Sequence, residues 1–228
     1  MSIDWLAYLA AAASGYLLGS IPFGLVITRM AGLGDIRDIG SGNIGATNVL
    51  RTGRKDLAAA TLVLDAGKAG LAFLLWFFFA GRHAYSDPAI TDMMMRVTTE
   101  LATPSNFVLG LISGAFAFIG HCYPVWLKFK GGKGVATFIG LMLASMWQVG
   151  LAFAATWLLV AAIFRMSSLS GLVGATLAPI YVWLFGYGPM AIITFGLLAV
   201  LMYWRHRSNI GRIAAGTEPK IGQKKKAE

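Results

Sequence analysis

Cysteine is almost missing from this chain. Cys122 is the single one in 228 residues, which excludes an intrachain disulfide framework and any multi-cysteine metal site. Charge is scarce as well. Charged residues make up 13% of the sequence, against about 25% in an ordinary soluble domain. Acidic residues are the rarer sign, 10 against 19 basic. So little polar cover excludes a soluble globule and a disordered chain. A basic n-region with a small-residue cleavage site is also missing, and Asp4 stands before the first apolar run, so no removable signal peptide is expected.

What fills the chain is apolar: 57% hydrophobic residues and a mean hydropathy of +0.68. A membrane-crossing helix needs about 20 mostly apolar residues. Residues 5–28 form such a run with no charge, 57–80 one interrupted by Asp65 and Lys68, and 107–127 one interrupted by His121. Two longer uncharged runs follow, 134–164 and 166–204. The second contains Gly186-Tyr187-Gly188-Pro189, a turn signal, and reads as two helices. The first is either one strongly tilted helix or two short ones meeting near Gln148-Val149-Gly150.

Charge chooses between these. With seven spans, sixteen basic residues lie on one side and only Arg82 and Arg96 on the other, Lys68 being inside a span. Six spans would leave the two sides nearly equal. The positive-inside rule favours the first arrangement. The expected fold is therefore an all-α integral membrane protein of seven transmembrane helices, N-terminus outside and C-terminus cytoplasmic. It forms one domain over 1–228, with a short basic tail at about 219–228. The net charge of +9 then reports orientation and contact with membrane lipids rather than nucleic acid. The outer loop, about 81–106, carries an Asp87-Pro88 helix start followed by Ile90, Met93, Met94, Val97 and Leu101 at helical spacing, which reads as a surface helix. Met93-Met94-Met95 reads as lipid or helix contact.

In this topology four polar segments share the cytoplasmic side. The first is Ser41-Gly42-Asn43-Ile44-Gly45-Ala46-Thr47-Asn48 with Arg51. Glycines and small polar residues let successive N–H groups face one concavity, and a guanidinium grips phosphate or carboxylate with two prongs. The second runs from His121 to Thr137 and contains Gly131, Gly132, Lys133 and Gly134. It is not a Walker loop, because Gly134 rather than Ser or Thr follows the lysine. A positive anchor with a glycine hinge is the alternative for this segment. The third, Ser167-Ser168-Leu169-Ser170, would serve a helix cap as well as a ligand. In the fourth, His206, Asn209 and Arg212 recur every three residues before Gly216-Thr217-Glu218. They share a face if the last helix continues past Trp204; a solvated helix end is the alternative. Asp65 and Lys68 stand three apart and pair structurally on one helix. His121 is open between a site residue and a buried, hydrogen-bonded one. Lys224-Lys225-Lys226 reads as headgroup contact.

These motifs, in this order and over nearly the whole chain, resemble the membrane-integral bacterial glycerol-3-phosphate acyltransferase family, PlsY. The resemblance implies transfer of a fatty acyl group from acyl-phosphate to the 1-hydroxyl of glycerol 3-phosphate, giving lysophosphatidic acid and phosphate. That would be the first acylation of phospholipid synthesis, at the cytoplasmic face of the bacterial inner membrane. It implies catalytic roles for Ser41, Arg51, Lys133, His206 and Asn209. Substrate contacts would come from Asn43, Gly45, Thr47, Asn48, Gly131, Gly132, Gly134, Ser168, Arg212 and Glu218. Gly132 and neighbouring N–H groups, with Lys133, would cradle the acyl-phosphate. Ser41 is open between a hydrogen-bonding and a nucleophilic role; direct attack with proton transfer to a substrate phosphate is favoured, with His206 as a second candidate base. No cofactor or metal is expected, and a soluble phosphate:acyl-carrier-protein acyltransferase would supply the donor. No His-x-x-x-x-Asp pair occurs: Val125 and Trp126 lie four and five beyond His121. The rival reading is an anion transporter, which suits broken glycine-rich segments, but its site would lie near midplane between repeated halves. No such repeat is evident.

Overall fold

The computed structural model describes residues 5–40, 42–84 and 104–222. The outer-loop helix expected around Asp87 and the position of Ser41 lie outside the described residues. Ten α-helices are described: α1 Trp5–Gly19, α2 Phe23–Met30, α3 Ala46–Val49, α4 Lys55–Ala84, α5 Pro104–Cys122, α6 Val135–Ser145, α7 Trp147–Phe164, α8 Ser167–Leu184, α9 Pro189–Arg205 and α10 Arg207–Ala214. Short 3-10 turns lie at Ile36–Asp38, Leu50–Thr52 and Val125–Leu127. No strand occurs among the described residues.

Among the described residues, five stretches are long and apolar enough to cross a membrane: 5–30, 55–78, 106–127, 147–164 and 167–184. α9 and α10, bent by 62° at His206, make a sixth if taken as one span. The run 134–164 is two helices, parted at Met146 (φ −150°), two residues before the expected Gln148. Of these, α6 has 11 residues, or about 16 Å at 1.5 Å per residue, too short alone for a core of about 30 Å. The run 166–204 divides at the expected turn, with Gly186 at φ +78° and Pro189 at the first position of α9. The first run also breaks, at Pro22. Proline has no N–H and cannot continue the ladder, so nearby carbonyls are freed.

The outer surface is greasy: Leu62, Val63, Leu158, Leu159, Leu197 and Val200 are all exposed. Between the helices the rule is small residues and aromatic wedges. A Cβ on Gly15 or Gly19 would collide with the α5 backbone at Ser113 or Ala117, and one on Gly120 with Tyr16 of α1. Such small-residue seams let two membrane helices touch along their backbones. Phe138 of α6 is the hub of the central core, its ring 5.9, 5.5 and 5.4 Å from those of Phe118, Phe153 and Phe195. It thereby joins α5, α6, α7 and α9.

A second apolar cluster, Leu25, Ile36, Ile44, Val49 and Ala58, lies beneath the polar segment between α2 and α4. That segment is therefore a packed cap on the helix ends. Asp35 reinforces it: its carboxylate accepts from Arg29 (2.7 Å) and from Arg37, whose guanidinium holds the Asp35 carboxyl well below the usual range.

Candidate active site

The polar segments converge where the helices end. Lys133 precedes α6 and donates from Nζ to Asn209 Oδ1 on α10. Asn209 donates in turn from Nδ2 to Glu218 Oε1 at 2.6 Å. The same oxygen accepts from Ser168 Oγ on α8 at 2.6 Å, and Arg212 Nε donates to Glu218 Oε2 at 2.7 Å. Glu218 follows the last helix, so the chain after α10 must fold back for these bonds to form. Burial alone would raise its carboxyl, but the bonds from Ser168, Asn209 and Arg212 hold it below the usual value. The first segment joins through Thr47, whose Oγ1 is 3.2 Å from Ser167 Oγ. Arg51 lies against Gly40, where a Cβ would sit 2.8 Å from its guanidinium.

Three arginines and one carboxylate act on Lys133 here. Burial pulls the Lys133 ammonium down to about 8; Glu218 opposes this, while Arg212, Arg51 and Arg205 add to the depression. The surplus of positive charge is what a site for multiply charged anions requires. The first N–H groups of α6 have no intrahelical acceptor and lie directly after Lys133, adding the positive end of a helix dipole. Gly134 enters that helix at φ +87°, a conformation that favours glycine, with its Cβ position blocked by the Phe118 ring.

Some expected residues have other work in this geometry. The N–H groups of Gly131 and Gly132 do not face outward. They donate to Cys122 O (3.2 Å) and His121 O (3.0 Å). Their own carbonyls accept from Arg205, at 2.7 and 3.0 Å. Asn48 is buried, and its amide donates to Ile36 O (2.8 Å) and Ile39 O (2.9 Å), fixing the cap from within. Asn43 Oδ1 accepts the N–H of Ile44, and the Gly45 carbonyl accepts from Asn48 and Val49 as α3 begins. His206 does not join Asn209 and Arg212 on α10. It is buried at the bend, with Nδ1 2.8 Å from Met202 O.

Two features were missed by sequence reasoning. Arg205 grips the glycine loop and stacks over Tyr123 at 4.9 Å, yet reads in the sequence as one more membrane anchor. Lys68 reaches beyond the expected bond to Asp65 Oδ1 (2.9 Å): it also donates to Ile21 O (3.1 Å), a carbonyl at the Pro22 break, and meets His121 Nδ1 at 2.8 Å. The signal was a proline inside an apolar run facing a lone intramembrane lysine.

A family profile described as glycerol-3-phosphate acyltransferase matches residues 9–216. A glycerol-3-phosphate acyltransferase of Maricaulis maris is 59% identical over 217 residues, covering 95% of this chain and 88% of that one. One of Caulobacter vibrioides is 51% identical over 229 residues, covering 100% and 94%. The fold is similar to the crystal structure of PlsY, an integral membrane glycerol 3-phosphate acyltransferase, in its glycerol 3-phosphate form. The TM-score is 0.78 at 31% identity, over 94% of this chain and 96% of that one. The lysophosphatidic acid form gives 0.76 at 30% identity, over 94% and 95%. With an all-helical architecture, membrane-length apolar helices and matches across nearly its whole length, this chain belongs to the glycerol-3-phosphate acyltransferase family.

Proposed function

We propose that the protein transfers a fatty acyl group from acyl-phosphate to the 1-hydroxyl of glycerol 3-phosphate, at the cytoplasmic face of the bacterial inner membrane. The carrying observation is the gathering of Arg51, Arg205, Arg212 and Glu218 around Lys133 at the ends of apolar helices. Both substrates are phosphate anions, and one also has a chain that must stay in an apolar medium. An open groove of about 360 Å³ offers that medium. Leu169, Leu172, Val173, Tyr203, Ile210 and Ile213 line it. It adjoins the site in sequence, since Leu169 follows Ser168, Ile210 follows Asn209 and Ile213 follows Arg212.

The donor is a mixed anhydride and already activated. The acceptor hydroxyl attacks its carbonyl carbon, the C–O bond to phosphate breaks, and phosphate leaves. The hydroxyl proton passes to a substrate phosphate oxygen. Lys133 and Arg51 hold the phosphates in line and offset the charge that develops on the carbonyl oxygen and the leaving group. Asn209 and Ser168 keep Glu218 in place, which in turn fixes Lys133 and Arg212. His206 serves by position at the bend, and Ser41 binds substrate; neither forms a covalent intermediate.

The seven-span topology, with the N-terminus outside, is our reading of the charge distribution. Donor supply falls to a soluble phosphate:acyl-carrier-protein acyltransferase. The test is a comparison of donors with purified protein. Phosphate is released only when acyl-phosphate and glycerol 3-phosphate are both present; turnover with acyl-coenzyme A and none with acyl-phosphate overturns the assignment.

A further inference from the structure

The buried trio Asp65, Lys68 and His121 has a geometry that a structural ion pair does not need. A lysine ammonium carries three protons and accepts nothing. Around Lys68 Nζ stand three acceptors: Asp65 Oδ1 at 2.9 Å, Ile21 O at 3.1 Å and His121 Nδ1 at 2.8 Å. With Lys68 as the ammonium, two donors cannot face each other at that last distance, so His121 Nδ1 is the bare, accepting nitrogen. Asp65 Oδ1, 3.5 Å from Nδ1, is too far to claim a proton from it. The imidazole proton is therefore held on Nε2.

Nε2 has no hydrogen-bond acceptor among the described residues, although His121 is only 4% exposed. The nearby carbonyls are engaged elsewhere, Gly131 O and Gly132 O with Arg205 and His121 O with the Gly132 N–H. The nitrogen is directed at Gly132, the residue before Lys133. A Cβ there would strike Nε2 first, then the adjoining ring carbons. Nε2 is not one of the fully enclosed polar atoms that lack a partner, so it keeps some open surface, and a Cβ at Gly132 would fill the space next to it.

We propose that His121 is a further substrate-contacting residue of this site. Its Nε2–H, fixed in that tautomer by Lys68 and Asp65, donates to a non-bridging phosphate oxygen of the substrate lying over Gly132, beside the Lys133 ammonium. Lys68 is a positioning residue, acting through the His121 ring. This rests on the acyl-transfer reading for the identity of the phosphate, which belongs either to acyl-phosphate or to glycerol 3-phosphate.

The test begins with the wild-type protein labelled with ¹⁵N-histidine, in detergent, with His121→Phe identifying the signal. Nε2 is expected to be the protonated nitrogen, and its resonance moves when glycerol 3-phosphate or a non-hydrolysable acyl-phosphonate is added. The ligand that moves it identifies the source of the oxygen. A proton on Nδ1, or no movement at saturation with either ligand or inorganic phosphate, overturns the proposal. None of this needs turnover, so it is separable from failure of the acyl-transfer reading, which would show as a wild type inactive with acyl-phosphate.

A kinetic arm separates donation from packing. His121→Phe keeps the ring and lowers kcat/KM roughly 10- to 100-fold, as expected for a lost bond to a charged group. Gly132→Ala is inactive on either view. If His121 only packs, His121→Ala vacates the space and restores the Gly132→Ala enzyme. If it donates, the double variant stays as low as His121→Ala alone.

Discussion

Two clusters in this protein contain similar parts and are put together in opposite ways. Between the helices, Asp65 and Lys68 are each no more than 3% exposed at the side chain, and Lys68 Nζ has three polar atoms within hydrogen-bond reach. At the helix ends, Glu218 is similarly enclosed at 6%, but the Arg212 bound to it is 37% exposed, and further cations crowd Lys133. The first cluster is a closed account, one acid against one base. The second carries excess positive charge facing outward. Burial makes a charge pair expensive to break, whereas an excess of one sign makes a site able to hold an ion.

The sharpest way to break the contrast is Lys68→Met. It strands a buried carboxylate and should cost about 3–5 kcal/mol, read as a large fall in melting temperature and yield. The double change Asp65→Leu with Lys68→Met should recover most of that stability, because a buried pair is replaced by apolar volume. Glu218→Ala comes next. It frees Ser168 and Asn209 and leaves Arg212 without its partner, so both stability and activity should fall, with activity losing more because Lys133 is no longer held. Lys133→Ala should leave the melting temperature nearly unchanged while lowering kcat by roughly 100- to 1,000-fold, as for loss of one preorganised charge-stabilising donor.

Acidity gives a finer contrast. Lys133 lies at about 8, below the ordinary lysine value because it is buried. Its charged form prevails below that pH, so affinity for glycerol 3-phosphate should weaken as pH rises through 8. Measuring KM between pH 7 and 10 tests this; Lys133→Arg should remove the limb, because a guanidinium keeps its proton throughout. The smallest effect belongs to the exposed Arg54–Asp56 pair: Asp56→Asn should leave melting temperature and turnover where they were.

Much of this contrast was legible in the sequence. Asp65 and Lys68 announced their pairing by spacing inside an apolar run, and Gly186 through Pro189 marked a true turn. Lys133, Asn209, Arg212, Ser168 and Glu218 do meet. What the sequence could not convey was direction. Gly131 and Gly132 signal a permissive backbone, not which way their N–H groups point, and here they point inward. Asn48 looks identical to Asn43 as a letter, yet packing puts one inside the cap. His206 fits a three-residue stripe that the 62° bend then interrupts. Arg205 is one basic residue among several until its reach to two carbonyls is seen.

The seam where Gly15 and Gly19 meet Ser113 and Ala117 has a practical corollary. Backbone laid against backbone involves neither ions nor titrating groups, so ionic strength and acidity have little purchase on it. High-salt washes should strip the binding machinery of its grip on anions while the helical frame survives, making reversible inactivation the expected signature during purification. Bulkier side chains at those glycines would do the reverse, wedging the frame apart with the ion-holding chemistry untouched.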